Sequence, residues 1–151
     1  MTNEAPVEDP FGLERFVTAQ DAGGTYARAL TELREGSKRS HWMWFIFPQL
    51  AGLGQSPTSR KYAISSLAEA QAYLRHPVLG PRLKESAGAV AGQQGLTAGR
   101  IFGGVDARKL RSSMTLFLRA DPQASVFEQV LAKYFGGVPD PATEQLLGNL
   151  G

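Results

Sequence analysis

The chain has 151 residues, a net charge of +2, 42% apolar residues and 20% charged residues, which is the profile of one ordinary globular domain able to bury about 68–70% of its unfolded surface. It has no cysteine, so disulfides, thiolate catalysis and cysteine-held metals are excluded. The polar, acidic start Met1–Pro10 lacks a signal pattern, and the longest bulky apolar run, Trp42–Phe47, falls far short of the ~20 residues of a membrane span; a cytoplasmic protein with no membrane partner is expected.

Helix signals dominate from residue 9 onward. Asp9-Pro10 reads as an N-cap followed by proline at the first helical position, where a missing N–H costs nothing. Phe11, Leu13, Phe16 and Val17 then form an apolar face, which Asp21-Ala22-Gly23-Gly24 interrupts. Thr25 is placed to cap a second helix carrying Tyr26, Leu30 and Leu33, with Gly36 as its stop. The segment Lys38–Gln49 follows, with Ser40 as a cap. It crowds Trp42, Trp44, Phe45 and Phe47 into six residues. Each such ring can bury roughly 150–250 Å², enough to organise a core, and the same rings also suit the wall of a cleft.

Ala51 to Pro57, rich in glycine, reads as a flexible connection. Ser66 and Glu69 have capping-box spacing ahead of Leu67, Ala70, Tyr73 and Leu74, and His76-Pro77 ends that helix. The next helix runs from Val78 or Pro81 to Val90, and Thr97 caps a short turn that ends at Phe102-Gly103-Gly104. Asp106 opens the most regular helix, with Leu110, Met114, Phe117 and Leu118 on one face and Asp121-Pro122 as its stop. Ser125 and Glu128 repeat the capping box, Gly136-Gly137 closes that helix, and Asp140-Pro141 starts the last one. The sum is an all-α, multihelical single domain of about seven helices over residues 9–151, preceded by a flexible N-terminus at residues 1–8. Trp44–Phe47 is the one run that passes for a strand.

Charge is distributed unevenly. Residues 1–35 carry seven acids against three arginines, residues 120–151 carry four against Lys133, and residues 36–119 hold twelve Lys or Arg against three acids, giving −4, −3 and +9. Acidic terminal helices folding back on a basic middle would account for this, and so would a basic middle that faces an anionic ligand.

Familiar cofactor patterns are absent. Gly52-Leu53-Gly54 lacks the third glycine of a dinucleotide fingerprint, with Pro57 in its place, and there is no GxxxxGK loop. His41 and His76 stand alone and no HExxH occurs, so neither a metal nor a cofactor is implied. Two sets of polar residues remain. Lys38, Arg39 and His41 precede the aromatic block, Gln49 follows it, and Arg60, Lys61 and Tyr62 lie beyond the glycine connection. Lys and Arg suit phosphate or carboxylate, and Trp42 or Tyr62 suits stacking on a planar ring. His41 is the candidate acid or base, its plainer reading being a hydrogen-bonded, half-buried imidazole. On the helix after Asp106, Arg108, Arg111, Thr115 and Arg119 share one face. Arg111 with Ser112 or Ser113 makes an anion site, unless acids from the terminal helices cover the stripe; Lys109 points between the faces.

Several segments together resemble a bacterial family of unknown function whose members are often mislabelled "calpastatin" and which has a mainly helical mycobacterial member. They are Asp9-Pro10-Phe11 with Leu13, Arg15 and Phe16; Lys38–Gln49; Ala51–Gly54; Tyr62-Ala63-Ile64; His76–Gly80; Ile101-Phe102-Gly103; Lys109–Phe117; and Tyr134-Phe135. The resemblance spans roughly residues 9 to 147. It implies the multihelical fold and no activity. The calpastatin label carries no weight, because calpain inhibitors of that name are disordered and this composition is that of a packed globule.

The leading expectation is a domain that binds a small anionic ligand, a nucleotide or an ADP-ribose-like molecule. Lys38, Arg39, Arg60 and Arg111 would hold the charge, Trp42 or Tyr62 would stack, and His41 and Gln49 would orient it. A hydrolase or transferase using His41 is the second reading. The third is a non-catalytic module docking an acidic protein, with nucleic acid the weaker partner because no reader motif appears.

Overall fold

The structure, a computed structural model, describes residues 8–150; apart from Glu8, the expected flexible N-terminus lies outside the described residues. Seven helices are eight residues or longer: α1 (Glu14–Asp21), α2 (Thr25–Glu35), α5 (Leu67–Arg75), α6 (Leu79–Ala91), α8 (Gly104–Ala120), α9 (Ser125–Phe135) and α10 (Pro141–Leu150). Three more, of four or five residues, are α3 (Met43–Ile46), α4 (Pro57–Lys61) and α7 (Ala98–Phe102), and a 3₁₀ turn over Ala22–Gly24 joins α1 to α2. The fold is all-α, with more helical segments than the seven expected. Trp44–Phe47, the one strand-like run, mostly belongs to α3. An isolated parallel bridge, Leu50 with Ile64, is the sheet-like pairing among the described residues.

Several caps form where the sequence places them. The Ser66 hydroxyl accepts from the Glu69 N–H at 3.1 Å, that of Thr97 from the Arg100 N–H at 3.1 Å, and the Asp140 carboxylate from the Thr143 N–H at 3.0 Å. Other termini differ. Helix α1 begins at Glu14 instead of Pro10, because Gly12 turns through a positive φ of 64° and Asp9 reaches forward to accept from the Leu13 and Glu14 N–H groups at 2.7 and 3.0 Å. Thr25 and Ser125 are first helical residues, not caps; Gly24 and Ala124 hold the cap positions. Ser40 does not cap α3. Helix α4 starts at the end of the expected flexible connection, capped by Ser56 with Pro57 at its first position.

Helix α8 is the axis of the molecule. Ala107, Leu110, Met114 and Phe117 form its main apolar face, but Ser112, Ser113, Thr115 and Leu116 are buried as well, because α5, α7, α9 and α10 pack around it. Two ring systems fill the core. Phe16, Tyr73, Phe117 and Phe127 run in sequence at centroid spacings of 5.1, 5.3 and 6.0 Å, while Trp42, Phe47 and Phe102 form a triangle of 6.1–6.4 Å. A four-residue helix such as α3 cannot hold itself together in water. Burial of Trp42, Met43, Ile46 and Phe47 in this core sets its conformation.

Candidate functional site

The basic head of the aromatic block is ordered by a carboxylate from the preceding helix. Glu32 of α2, 4% exposed, accepts from the Arg39 N–H at 2.8 Å, the Ser40 N–H at 3.0 Å and the Trp42 Nε1–H at 3.0 Å, and also from the Ser40 hydroxyl. Burial pushes its carboxyl pKa up, but these donors outweigh burial and bring it down to about 2. Trp42, 0% exposed, is therefore a core residue with its indole N–H satisfied, and it has no face on which a ligand could stack. Lys38, 8% exposed, is also committed: its ammonium lies 2.9 Å from Asp106, donates to the Ser40 carbonyl at 2.6 Å and sits 5.0 Å from the Trp42 ring centroid.

The other expected site residues fall into two groups. Arg39, His41 and Arg60 are exposed; Arg39 pairs with Glu35 at 2.9 Å and Arg60 reaches Gln55 at 3.4 Å. Arg111 spends its guanidinium on the carbonyls of Val138 and Pro139, at 2.9 and 3.2 Å, which fastens the α9–α10 link. Arg119 of the same stripe pairs with Glu144 of α10 at 2.6 Å. The terminal helices thus cover much of this stripe, and Arg111 acts as a clamp on backbone.

Gln49, Lys109 and Ser112 do come together, and Tyr62 lies in a pit beside them that shares Gln49. Gln49, Lys109 and Ser112 line an open cleft of about 290 Å³, with Leu53, Gly54, Val105, Arg108, Asp140 and Ala142 completing it. Gln49 and Gly54 also line an adjoining pit of about 10 Å³, with Trp44, Ser59 and Tyr62, room for about one water. The Lys109 ammonium lies 5.1 Å from the Trp44 ring centroid and 3.4 Å from Asp106. Ser112 is buried, and its hydroxyl donates to the Arg108 carbonyl at 3.1 Å. The Arg108 guanidinium has no ion-pair partner among the described residues. Gly54 is required by the tight approach of Ser59, since a Cβ there would lie 2.6 Å from the Ser59 Cβ.

Sequence reasoning missed Glu32 altogether, read Trp44 only as one ring of the aromatic block and Asp106 only as a helix start, and placed Arg108 on the basic stripe without assigning it to a site. The acid-free run from Gly36 to Ala68 was the available signal for Glu32, because a buried indole N–H and two loop N–H groups need an acceptor from elsewhere. His41 does not line the cleft. Among the described residues no group of three His, Asp or Glu is placed to hold a metal ion, and no helix is long and apolar enough to cross a membrane.

A larger cleft of about 530 Å³ lies at the opposite end of the sequence signals, between the turn before α1 and the end of α5. It is lined by Phe11, Leu13, Glu14, Ala72, Arg75 and His76, among others. The His76 Nδ1 accepts from the N–H groups of Val78 and Leu79 at 3.1 and 3.2 Å, which caps the start of α6. Its ring is thus in structural use.

Comparison with known proteins agrees with this architecture. The crystal structure of the conserved hypothetical protein Rv1873 from Mycobacterium tuberculosis is 55% identical in sequence and superposes with a TM-score of 0.90, over 93% of this chain and 99% of that one. No curated protein matches the chain. The sequence profile of the DUF1810 proteins, a group of unknown function, matches residues 10–147. The chain therefore belongs to the DUF1810 family.

Proposed function

We propose that the cleft between α8, the start of α10 and the Leu53-Gly54 loop binds a small anionic metabolite. The observation that carries this reading is the meeting of Lys109 and Arg108 with Gln49 around one opening, with the half-buried Trp44 in the adjoining pit against Lys109. Lys109 and Arg108 meet the anion, and the Gln49 amide donates an orienting hydrogen bond. The Ser112 oxygen is left to accept one from a ligand hydroxyl, because its own hydrogen is held by the Arg108 carbonyl, and the Trp44 ring lies behind Lys109. The volume of about 290 Å³ stands at the lower end of ordinary ligand sites, ~300–1,000 Å³. That favours a mononucleotide fragment or a sugar phosphate over a whole dinucleotide-sized molecule.

Thermal shift with inorganic phosphate, nucleoside monophosphates and sugar phosphates tests it. A ligand at 100 times its Kd adds about 2.7 kcal/mol of stability, which raises Tm by several degrees in a domain of this size. The double variant Lys109→Ala/Arg108→Ala should weaken a binding ligand by about tenfold or more, since each loses a charge-assisted hydrogen bond. Binding unaffected by that double change would remove the cleft from consideration.

A further inference from the structure

Lys109 already has a partner in the free protein, and the geometry of that partnership bears on which anion can enter. Asp106 holds two lysines of unequal standing. Its Oδ2 lies 2.9 Å from Lys38, whose side chain is 8% exposed and fixed by the Ser40 carbonyl and the Trp42 ring. Its Oδ1 lies 3.4 Å from Lys109, whose side chain is 22% exposed, a separation too long for a good hydrogen bond. The Lys109 N–H donors are therefore unspent while its charge rests against Asp106 and the Trp44 ring.

We propose that the cleft takes a terminal phosphate monoester, and that Asp106 is the resident counter-anion from which that phosphate draws Lys109. This rests on the anion-binding reading of the same cleft. The charged groups around it are Arg108, Lys109 and Lys38 against Asp106 and Asp140, a formal sum of +1. The Asp140 carboxylate is tied to the Thr143 N–H and hydroxyl at 3.0 and 2.7 Å. An incoming carboxylate offers Lys109 the same single charge that the tethered Asp106 already supplies, so exchange gains little. A phosphate monoester above its second ionisation, near pH 6, brings nearly two charges and three strong acceptor oxygens. That matches the unspent donors of Lys109 together with the five of the Arg108 fork. A phosphodiester, or the doubly esterified pyrophosphate of an ADP-ribose-like molecule, presents one charge per phosphate and is the weaker fit.

The two tryptophans make the displacement observable. Trp42 has no exposed surface, whereas Trp44 carries Lys109 across its ring, so withdrawal of Lys109 should change the emission of Trp44 alone. The experiment is a fluorescence titration of the purified protein at pH 8 with inorganic phosphate and, separately, acetate. Phosphate should bind more tightly than acetate, with a signal lost in Trp44→Phe. Asp106→Asn should tighten phosphate by about tenfold and acetate by about threefold, because repulsion from a charge ~6 Å away doubles for a dianion. If Asp106→Asn unfolds because Lys38 loses its counter-ion, Lys38→Met/Asp106→Leu removes both charges; the local sum is then unchanged, and phosphate should still tighten, by less than in Asp106→Asn, because Lys109 is no longer held by Asp106. Equal affinities for the two anions, or no gain from either Asp106 variant, overturns this inference and leaves the anion cleft standing. No response of the wild-type protein or the variants to either anion overturns both.

Discussion

Single residues with several partners do much of the organising here. Glu32 satisfies four donors at once, and its carboxyl is held well below the ordinary value of 4.5, at about 2. A carboxyl depressed on folding contributes stability that is fully present above its ordinary value and fades as the pH falls from 4.5 toward 2. Glu32→Gln should cost about 3 kcal/mol, since it leaves buried donors facing an amide, or roughly 6–12 °C in Tm for a chain of this length. Its acid unfolding should also be less steep between pH 4.5 and 2; equal steepness in the two proteins would show that Glu32 is not the group being titrated. Arg15 is the second such residue. Its guanidinium donates to the carbonyls of Phe11, Gly12, Lys61 and Ala63 and to Glu69, at 2.6–2.9 Å, so all five N–H donors are used. Lysine has three donors and no fork, and cannot substitute for it.

At the scale of elements, the caps separate local signals from tertiary ones. Ser66, Thr97 and Asp140 were legible because each precedes a free N–H three residues on, whatever the rest of the fold does. Ser125 has the same spacing, yet the Asp121 side chain accepts from Gln123 and the Asp121 carbonyl from Ala124, which turns the chain one residue early. Ser66→Ala should therefore cost about 1 kcal/mol, and Ser125→Ala close to nothing, a contrast that chemical denaturation resolves directly. Helix α4 was hidden by its neighbours: glycines on one side drew attention from Ser56-Pro57, a cap and first-turn proline. The candidate cleft was only half legible. Gln49 and Lys109 stood out as polar residues beside hydrophobic runs, but the contact of Lys109 with Trp44 joins segments 65 residues apart, and no local pattern encodes it. Trp42 and Trp44 look equivalent in sequence; the choice of which is buried is made by Glu32 on another helix.

Over the whole molecule, the segregated charge of the chain is resolved by folding the acidic ends onto the basic middle. Asp21 pairs with Arg82, Glu35 with Arg39 and Glu144 with Arg119, at 2.6–2.9 Å. These pairs are largely exposed and each contributes at most about 1 kcal/mol, so they orient the ends more than they hold them. The firmer attachment of α10 is the Arg111 clamp together with the buried Thr143 and Leu147. Arg111→Met should speed amide hydrogen exchange in α10 while leaving α6 unchanged; exchange in α10 no faster than in the unaltered protein would mean that the clamp is dispensable. The Arg15 clamp has a further consequence for a chain made from its N-terminus. Glu32 meets its donors within ten residues of its own position, so the aromatic segment can be satisfied early. Arg15 cannot complete its bonds until Glu69 has left the ribosome, so α1, already packed on α2 and α3, gains its last attachment only when the middle of the chain is made.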